Sequence, residues 1–289
     1  MARINLNGHN MSEKINVALI QVSARPEIAD NLEIIDRYVT QAAEKGAKFV
    51  LTPENSCHMV HPQMRKLETA LPEAGHPFLE RFIKRAAALS IWLLLGSITI
   101  KTDGNKLLNR SYLISPAGKV VARYDKIHLF DVDTPDGMAY RESKTFDGGA
   151  RAALVHSDIG QIGLSICYDV RFPHLYRDLA QRGAEIITVP AAFTVPTGKA
   201  HWEVLLRARA IENGVFILAP AQTGEHEGGR ETWGHSLIIN PWGEVLADAG
   251  ADEGYIMAEI DLDEVVLRRG QIPSLKNGRA YEIDELRSV

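Results

Sequence analysis

Apolar positions along this chain repeat with two periods, and the points where the period changes mark out its elements. INVALIQVSA (15–24) is a nearly continuous apolar run and reads as a buried strand. Leu32, Ile35 and Val39 then recur at helical spacing, with Asp30 and Glu33 placed to cap that helix and Gly46 to close it. AKFVLTPEN (47–55) predicts a second strand ending on Pro53-Glu54. Phe78, Phe82 and Ile83 predict a helix over roughly 77–89, ahead of the strand IWLLLGSITI. LLNRSYLIS and KVVARYDKIHL follow as strands joined by the turn Pro116-Ala117-Gly118.

The second half repeats this logic. Strands near 151–156 and 161–168 precede a helix over 173–182, and EIITVPAAF is the next strand. A helix over 200–212 ends at Gly214 and leads into VFILAPAQ; a hairpin turns at Asn240-Pro241-Trp242-Gly243, and YIMAEIDL is the last strand. Strand–helix–strand units separated by hairpins predict an α/β fold, with mixed sheets carrying helices on their outer faces and two similar halves packed sheet to sheet. No linker or low-complexity tract divides them, so a single domain over 14–289 is expected, with residues 1–13 as a flexible N-terminal extension.

One change of period falls on a cysteine. In QIGLSICYD, Ile162, Leu164 and Ile166 alternate with Gly163, Ser165 and Cys167; beyond Phe172-Pro173, Leu175, Tyr176, Leu179 and Ala180 recur at helical spacing until Gly183. Cys167 therefore sits at a strand-to-helix turn. Such a turn lifts a nucleophile out of a sheet while the following N–H groups point at the reacting carbonyl. A small buried apolar residue at a strand end is the competing reading. Glu54 and Lys126 also lie at or just beyond strand ends, and a thiolate needs a base or a positive charge nearby. Taken singly, Glu54 reads as a solvated loop residue and Lys126 as an outward-pointing one.

Composition narrows the choices. At 289 residues the chain can bury a sizeable core, and a net charge of −5 with scattered Lys and Arg excludes an electrostatic nucleic-acid or anionic-membrane binder. The polar start lacks the apolar stretch of a secretory signal and no later apolar run is long enough to span a bilayer, so a soluble, cytoplasmic protein is expected. Two cysteines, Cys57 and Cys167, make no disulfide scaffold and are expected as thiols.

FVLTPEN, RYDKIHLFD and GLSICYDVRFP occur in this order, and together they resemble the three signature segments of the nitrilase superfamily of carbon–nitrogen hydrolases, over about residues 14 to 280. The resemblance implies a four-layer αββα sandwich and places the family's catalytic residues on Glu54, Lys126 and Cys167, with its second glutamate on Glu142 in YRESKTF. It also implies a mechanism. Cys167 attacks an amide carbon as Glu54 takes the thiol proton, Lys126 and the Tyr168 N–H hold the oxyanion, and water activated by Glu54 clears the thioester. Glu142 is assigned to orienting Lys126 or the substrate nitrogen and to balancing charge.

CYDVRFP and HWEVLLRARAIEN look like the Nit branch, whose members are omega-amidases acting on small carboxyl-bearing amides, deaminated glutathione among them. Arg171 lies where related N-carbamoyl amino acid hydrolases place a carboxylate-binding arginine; pairing with Asp169 or Asp178 is its other reading. An N-carbamoyl hydrolase and a nitrilase with the same triad are the alternative activities, and an inactive binding protein on the same fold is the alternative of another class. No cofactor is implied, and no metal, since His58 and His61 lack a third ligand at helical spacing. The remaining readings are structural: His128 hydrogen-bonded on the strand face of Lys126, Cys57 packed near the site, Gly148-Gly149 and Gly228-Gly229 in loops, and Arg207 and Arg209 on a solvated or subunit-facing surface. The family's habit of assembling through the helix beside the nucleophile implies a homodimer or larger homo-oligomer. The run QIPSLKNGRAYE is expected across a partner or near the site.

Overall fold

The computed structural model of this protein describes residues 14–134 and 137–286; the extension expected over 1–13 lies outside the described residues. The first half runs β1 (Ile15–Gln21), α1 (Ile28–Glu44), β2 (Phe49–Leu51), α2 (Lys66–Thr69), α3 (Pro77–Leu89), β3 (Trp92–Lys101), β4 (Leu107–Ile114) and β5 (Val120–Asp125), then the short strands β6 (Asp131–Asp133) and β7 (Ala139–Arg141). The second half runs β8 (Ala153–Ser157), β9 (Gly160–Leu164), α4 (Pro173–Gln181), β10 (Ile186–Thr188), α5 (Val195–Asn213) and β11 (Phe216–Ala219). It ends with β12 (Thr223–Glu225), β13 (Glu231–Trp233), β14 (Leu237–Ile239), β15 (Val245–Asp248), β16 (Gly254–Ile260) and α6 (Asp263–Gln271).

Two six-stranded sheets form, in the orders β16-β1-β2-β3-β4-β5 and β15-β14-β11-β10-β9-β8. Each has three central parallel strands, β1 to β3 and β9 to β11, edged by antiparallel ones. The central strands of the first sheet are mostly apolar because they are covered on both faces. Val17, Leu19, Phe49, Leu51 and Leu94 point toward the other sheet, while Ala18, Ile20, Val50, Leu93 and Leu95 meet Ile35 and Val39 of α1 and Phe78 and Phe82 of α3. On the second sheet, Leu175, Tyr176 and Leu179 of α4 and Trp202, Leu206 and Ala210 of α5 complete the core, giving the αββα layering. The halves interlock: β16, from near the chain's end, pairs antiparallel with β1.

Helix α3 spans the residues its pattern predicts, begun by Pro77 at a position where a missing N–H is harmless. Helix α1 differs. It starts at Ile28, so Asp30 lies inside its first turn and caps nothing. The turn is closed by Asn31, whose Oδ1 accepts from the Arg25 N–H at 2.7 Å and whose Nδ2 donates to the carbonyls of Arg25 at 2.8 Å and Cys57 at 3.0 Å. Helix α5 starts five residues before the expected 200, with Pro196 in its first turn. Helix α6 and the hairpins β6–β7 and β12–β13 have too few apolar positions to register in the pattern.

Candidate active site

The residues singled out in three separate segments converge for a topological reason. β4 runs antiparallel to β3 and β5 antiparallel to β4, so β5 ends on the same side of its sheet as the parallel strands β2 and β3. Glu54 follows β2 and Lys126 follows β5; Cys167 follows β9, in the facing sheet. Chemistry collected beyond the carboxyl ends of parallel strands is the usual outcome of this architecture.

Cys167 opens a short 3₁₀ turn over Cys167–Arg171 and has φ +50°, a conformation that L-residues other than Asn and Asp rarely adopt. Its surroundings hold it there. The Cys167 N–H donates to the Pro190 carbonyl at 2.9 Å. Asp169, completely buried, accepts from the Ile166 N–H at 2.8 Å and the Tyr124 hydroxyl at 2.6 Å on Oδ2, and from the His128 N–H at 3.1 Å on Oδ1. The His128 ring nitrogen Nδ1 pairs with the same Oδ1 at 2.7 Å. His128 thus lies beyond the end of β5 rather than on the strand face expected for it, and ties that segment to the nucleophile's turn.

Glu54 is seated by an unusually close approach of backbones. A Cβ on Gly96 would stand 1.9 Å from the Thr52 carbonyl, so only glycine lets β3 pass the 52–54 segment. Gln222, from beyond β11, donates to the Glu54 carbonyl at 2.9 Å and links the two sheets. Lys126 Nζ donates to Glu54 Oε1 at 2.8 Å and to Glu142 Oε2 at 2.9 Å. Asn109 Nδ2 bridges the same carboxylates at 2.9 and 3.2 Å, and the Phe130 N–H donates to Glu142 Oε2 at 2.7 Å. All of these side chains are buried.

The electrostatics set the resting protonation. Burial pushes the Cys167 thiol well above its ordinary value, the Glu54 charge adds to this, and Lys126 opposes it. Burial alone would raise the Glu54 carboxyl too, but the Lys126 charge and hydrogen bonds from Lys126, Cys167 and Asn109 bring it below the usual range. Lys126 is favoured as the cation: burial works against its charge, yet Glu142 and Glu54 lift its pKa well above normal. The proton therefore rests on sulfur beside a charged carboxylate, the starting state for general-base activation of a thiol.

Glu54, Lys126, Glu142 and Cys167 line a cavity of about 480 Å³, whose walls include Tyr168, Phe130 and Phe193. The Tyr168 ring meets Phe130 and Phe172 edge to face. Arg171 is a departure from expectation. It is not among the cavity-lining residues; its guanidinium sits over Tyr168 and Phe193 at 6.0 and 5.6 Å and bonds His201 Nδ1 at 3.2 Å. The scaffold pairings also fail, since Asp169 is taken by the nucleophile's turn and Asp178 pairs with Arg182. Arg209 is likewise buried rather than solvated, its Nε donating to the Val170 carbonyl at 2.9 Å. Cys57 is fully buried against His58, and burial pushes its thiol up to about 11. Among the described residues no cluster of three metal-ligating side chains exists. Three residues of the site had no signal in the sequence: Asn109, a polar position inside β4, and Lys66 and Arg230, which face the cavity from α2 and from just before β13.

The chain has relatives among known proteins. Residues 16–269 match the family described as carbon–nitrogen hydrolase. The deaminated glutathione amidase of Synechocystis sp. is 46% identical over 266 residues, covering 90% of this chain and 96% of that one. The omega-amidase NIT2 of Homo sapiens is 36% identical over 264 residues, covering 91% and 95%. Among solved structures, the C. elegans NitFhit protein superposes with a TM-score of 0.87 at 35% identity, over 93% of this chain and 66% of its own. A mutant amidase from Nesterenkonia sp. AN1, with the acetamide moiety of fluoroacetamide covalently added at its active-site cysteine, superposes with a TM-score of 0.78 at 27% identity, over 92% and 94%.

Proposed function

This chain belongs to the carbon–nitrogen hydrolase family, and from that membership we propose that it is a cysteine amidase for small amides that also carry a carboxylate, of the omega-amide or deaminated-glutathione type. The observation that carries the reading is the buried Glu54–Lys126–Glu142 cluster beside a cysteine held at positive φ.

In the first half-reaction Cys167 Sγ bonds to the amide carbon as its proton passes to Glu54. The negative charge that develops on the carbonyl oxygen is stabilised by the Lys126 ammonium and by the Tyr168 N–H, the first backbone donor past the nucleophile. The C–N bond breaks as Glu54 returns the proton to nitrogen, releasing ammonia or an amine and leaving a thioester. Water then adds to the thioester carbon, losing one proton to Glu54; the C–S bond breaks as Glu54 passes that proton to sulfur, restoring the thiol, and the product leaves as the carboxylic acid, which ionises in water. Glu142 and Asn109 keep the Lys126 ammonium and the Glu54 carboxylate aimed at the reacting carbon.

Ammonia release from an omega-amide, deaminated glutathione, N-carbamoyl amino acids and simple nitriles, with Cys167→Ala as the blank, tests the reading. Release from the carboxyl-bearing amides that vanishes in the variant is the expected result. Release confined to carbamoyl compounds or nitriles would refute the substrate class.

The reaction belongs in the cytoplasm on this reading, where reducing conditions keep the unpaired Cys57 and Cys167 as thiols. Among the described residues no helix is long and apolar enough to cross a membrane. A single catalytic domain working as a homodimer or larger assembly is supported by Val204 and Ile211 of α5 and Trp242, large apolar side chains left exposed. A monomer by light scattering at micromolar concentration would contradict the assembly.

A further inference from the structure

Two cations that the reaction steps do not use face the same cavity as Cys167. Lys66, 6% exposed on α2, donates from Nζ to the neutral amide oxygen of Asn55 at 2.7 Å, with the Phe146 ring 5.5 Å away. Arg230 Nη2 donates to the Ala192 carbonyl at 3.0 Å, and its buried Nε has no hydrogen-bond partner. Among the described residues, neither cation is ion-paired with a carboxylate, whereas Lys126 holds two.

An ammonium has three donors, and burying it beside a second cation without a counter-ion is unfavourable unless an anion arrives to offset the cost. The effect is visible at Lys66. Burial presses its pKa down to about 8, and the Arg230 charge pushes the same way against the pull of Cys57, Glu54 and Glu142. The position also suits a substrate contact, because Asn55, which orients Lys66, is the immediate neighbour of the general base.

We propose that Lys66, assisted by Arg230, binds the carboxylate of the substrate and is the residue that selects carboxyl-bearing amides. This rests on the reading of the pocket as an amidase site. It assigns to α2 the anchoring role that the resemblance to N-carbamoyl amino acid hydrolases suggested for Arg171. A substrate would then lie with its amide carbon at Cys167 and its carboxylate at Lys66, its methylene chain against Phe130 and Phe146 of the cavity wall.

The test compares succinamate with butyramide, which differ by a carboxylate in place of a methyl group, using the full chain and its Lys66→Met and Lys66→Arg variants. The parent enzyme is expected to prefer succinamate in kcat/KM. Lys66→Met should lower the succinamate-to-butyramide ratio roughly ten- to hundredfold, chiefly through KM, since it removes one charge-assisted contact. Lys66→Arg should restore part of that ratio. In the parent, the succinamate KM should climb as pH rises above about 8, where the free Lys66 loses its proton, while the butyramide KM should not, and Lys66→Arg should abolish the climb. This measurement on the unaltered chain stands even if the methionine variant fails to fold. A parent that prefers succinamate with a pH-independent KM, or a Lys66→Met that keeps the ratio, would overturn the role of Lys66 and leave the amidase reading intact. A parent indifferent to the carboxylate would overturn the substrate class and this inference together.

Discussion

Replacing Asp169 by alanine or by asparagine separates the support of the nucleophile from the nucleophile itself. The Ile166 N–H and the Tyr124 hydroxyl both donate to Oδ2, and both residues are buried beyond the reach of water. Asp169→Ala leaves each of them without an acceptor, at roughly 1–3 kcal/mol apiece, or about 2–6 kcal/mol together. That is a large share of the ~5–15 kcal/mol by which a folded chain is usually stable. His128 is partly exposed, so its donors turn to water and add little. Asp169→Asn is gentler: its one carbonyl oxygen can stay toward Ile166 and Tyr124, its amide group faces His128, and Nδ1 can change tautomer to accept from it. The loss is then confined to the His128 N–H, which the asparagine amide, unlike alanine, faces with a donor and keeps from water, at about 1–2 kcal/mol. Both variants should relax the turn that holds Cys167 at φ +50°, and a displacement of Sγ on the order of 1 Å is enough to lower kcat/KM by about 100-fold. Urea unfolding with linear extrapolation measures the first effect, and ammonia release the second. Two variants within about 0.5 kcal/mol of the parent and with parental turnover would refute the assigned role of Asp169.

Glu54→Gln removes the base while keeping the side chain's shape, and should lower turnover by roughly 10²- to 10⁴-fold in a folded chain, together with the rate of Cys167 alkylation by iodoacetamide; undiminished alkylation would show that another group takes the proton. Lys126→Met should cost roughly 10²- to 10³-fold in turnover through the lost oxyanion donor, and it also changes how stability depends on pH. In the parent, Glu54 has a lowered folded-state pKa, so its contribution is present above the ordinary 4.5 and is lost as pH falls through the folded value. Without the ammonium, burial is no longer offset at Glu54 and its pKa rises, so the variant should lose stability as pH climbs above about 4.5; a melting temperature profile parallel to the parent's would contradict this. Gly96→Ala puts a methyl group against the Thr52 carbonyl and should destabilise by roughly 3 kcal/mol, and an unchanged urea midpoint would show that the backbones can part.

What could be read from the residues alone was whatever is local. The change of period at Cys167 marks a strand-to-helix turn because side chains in a strand and a helix alternate differently, and the turn stands where the pattern puts it. Helix α3 begins and ends as expected because Pro77 and the apolar spacing of Phe78 and Phe82 act within a few residues of each other. Nearly unbroken apolar runs in β1 and β3 announce burial on both faces, and three ordered segments carry Glu54, Lys126 and Cys167.

What lies between segments was decided by the tertiary structure. The start of α1 depends on Asn31 reaching the backbone at Arg25 and Cys57, so Asp30 falls within the helix and not at its cap. Arg209, polar by composition, is buried because Val170 offers it a carbonyl. Arg171, which a family resemblance offered as a carboxylate anchor, sits over Tyr168 and Phe193 and does not line the cavity, while Lys66, which carried no signal in the sequence, faces it. The pairing of Glu54 with Lys126 across 72 positions, and with it the resting proton on Cys167, arises only where strand directions bring three carboxyl ends together. Burial and charge pairing depend on distance through space, and a sequence records only distance along the chain.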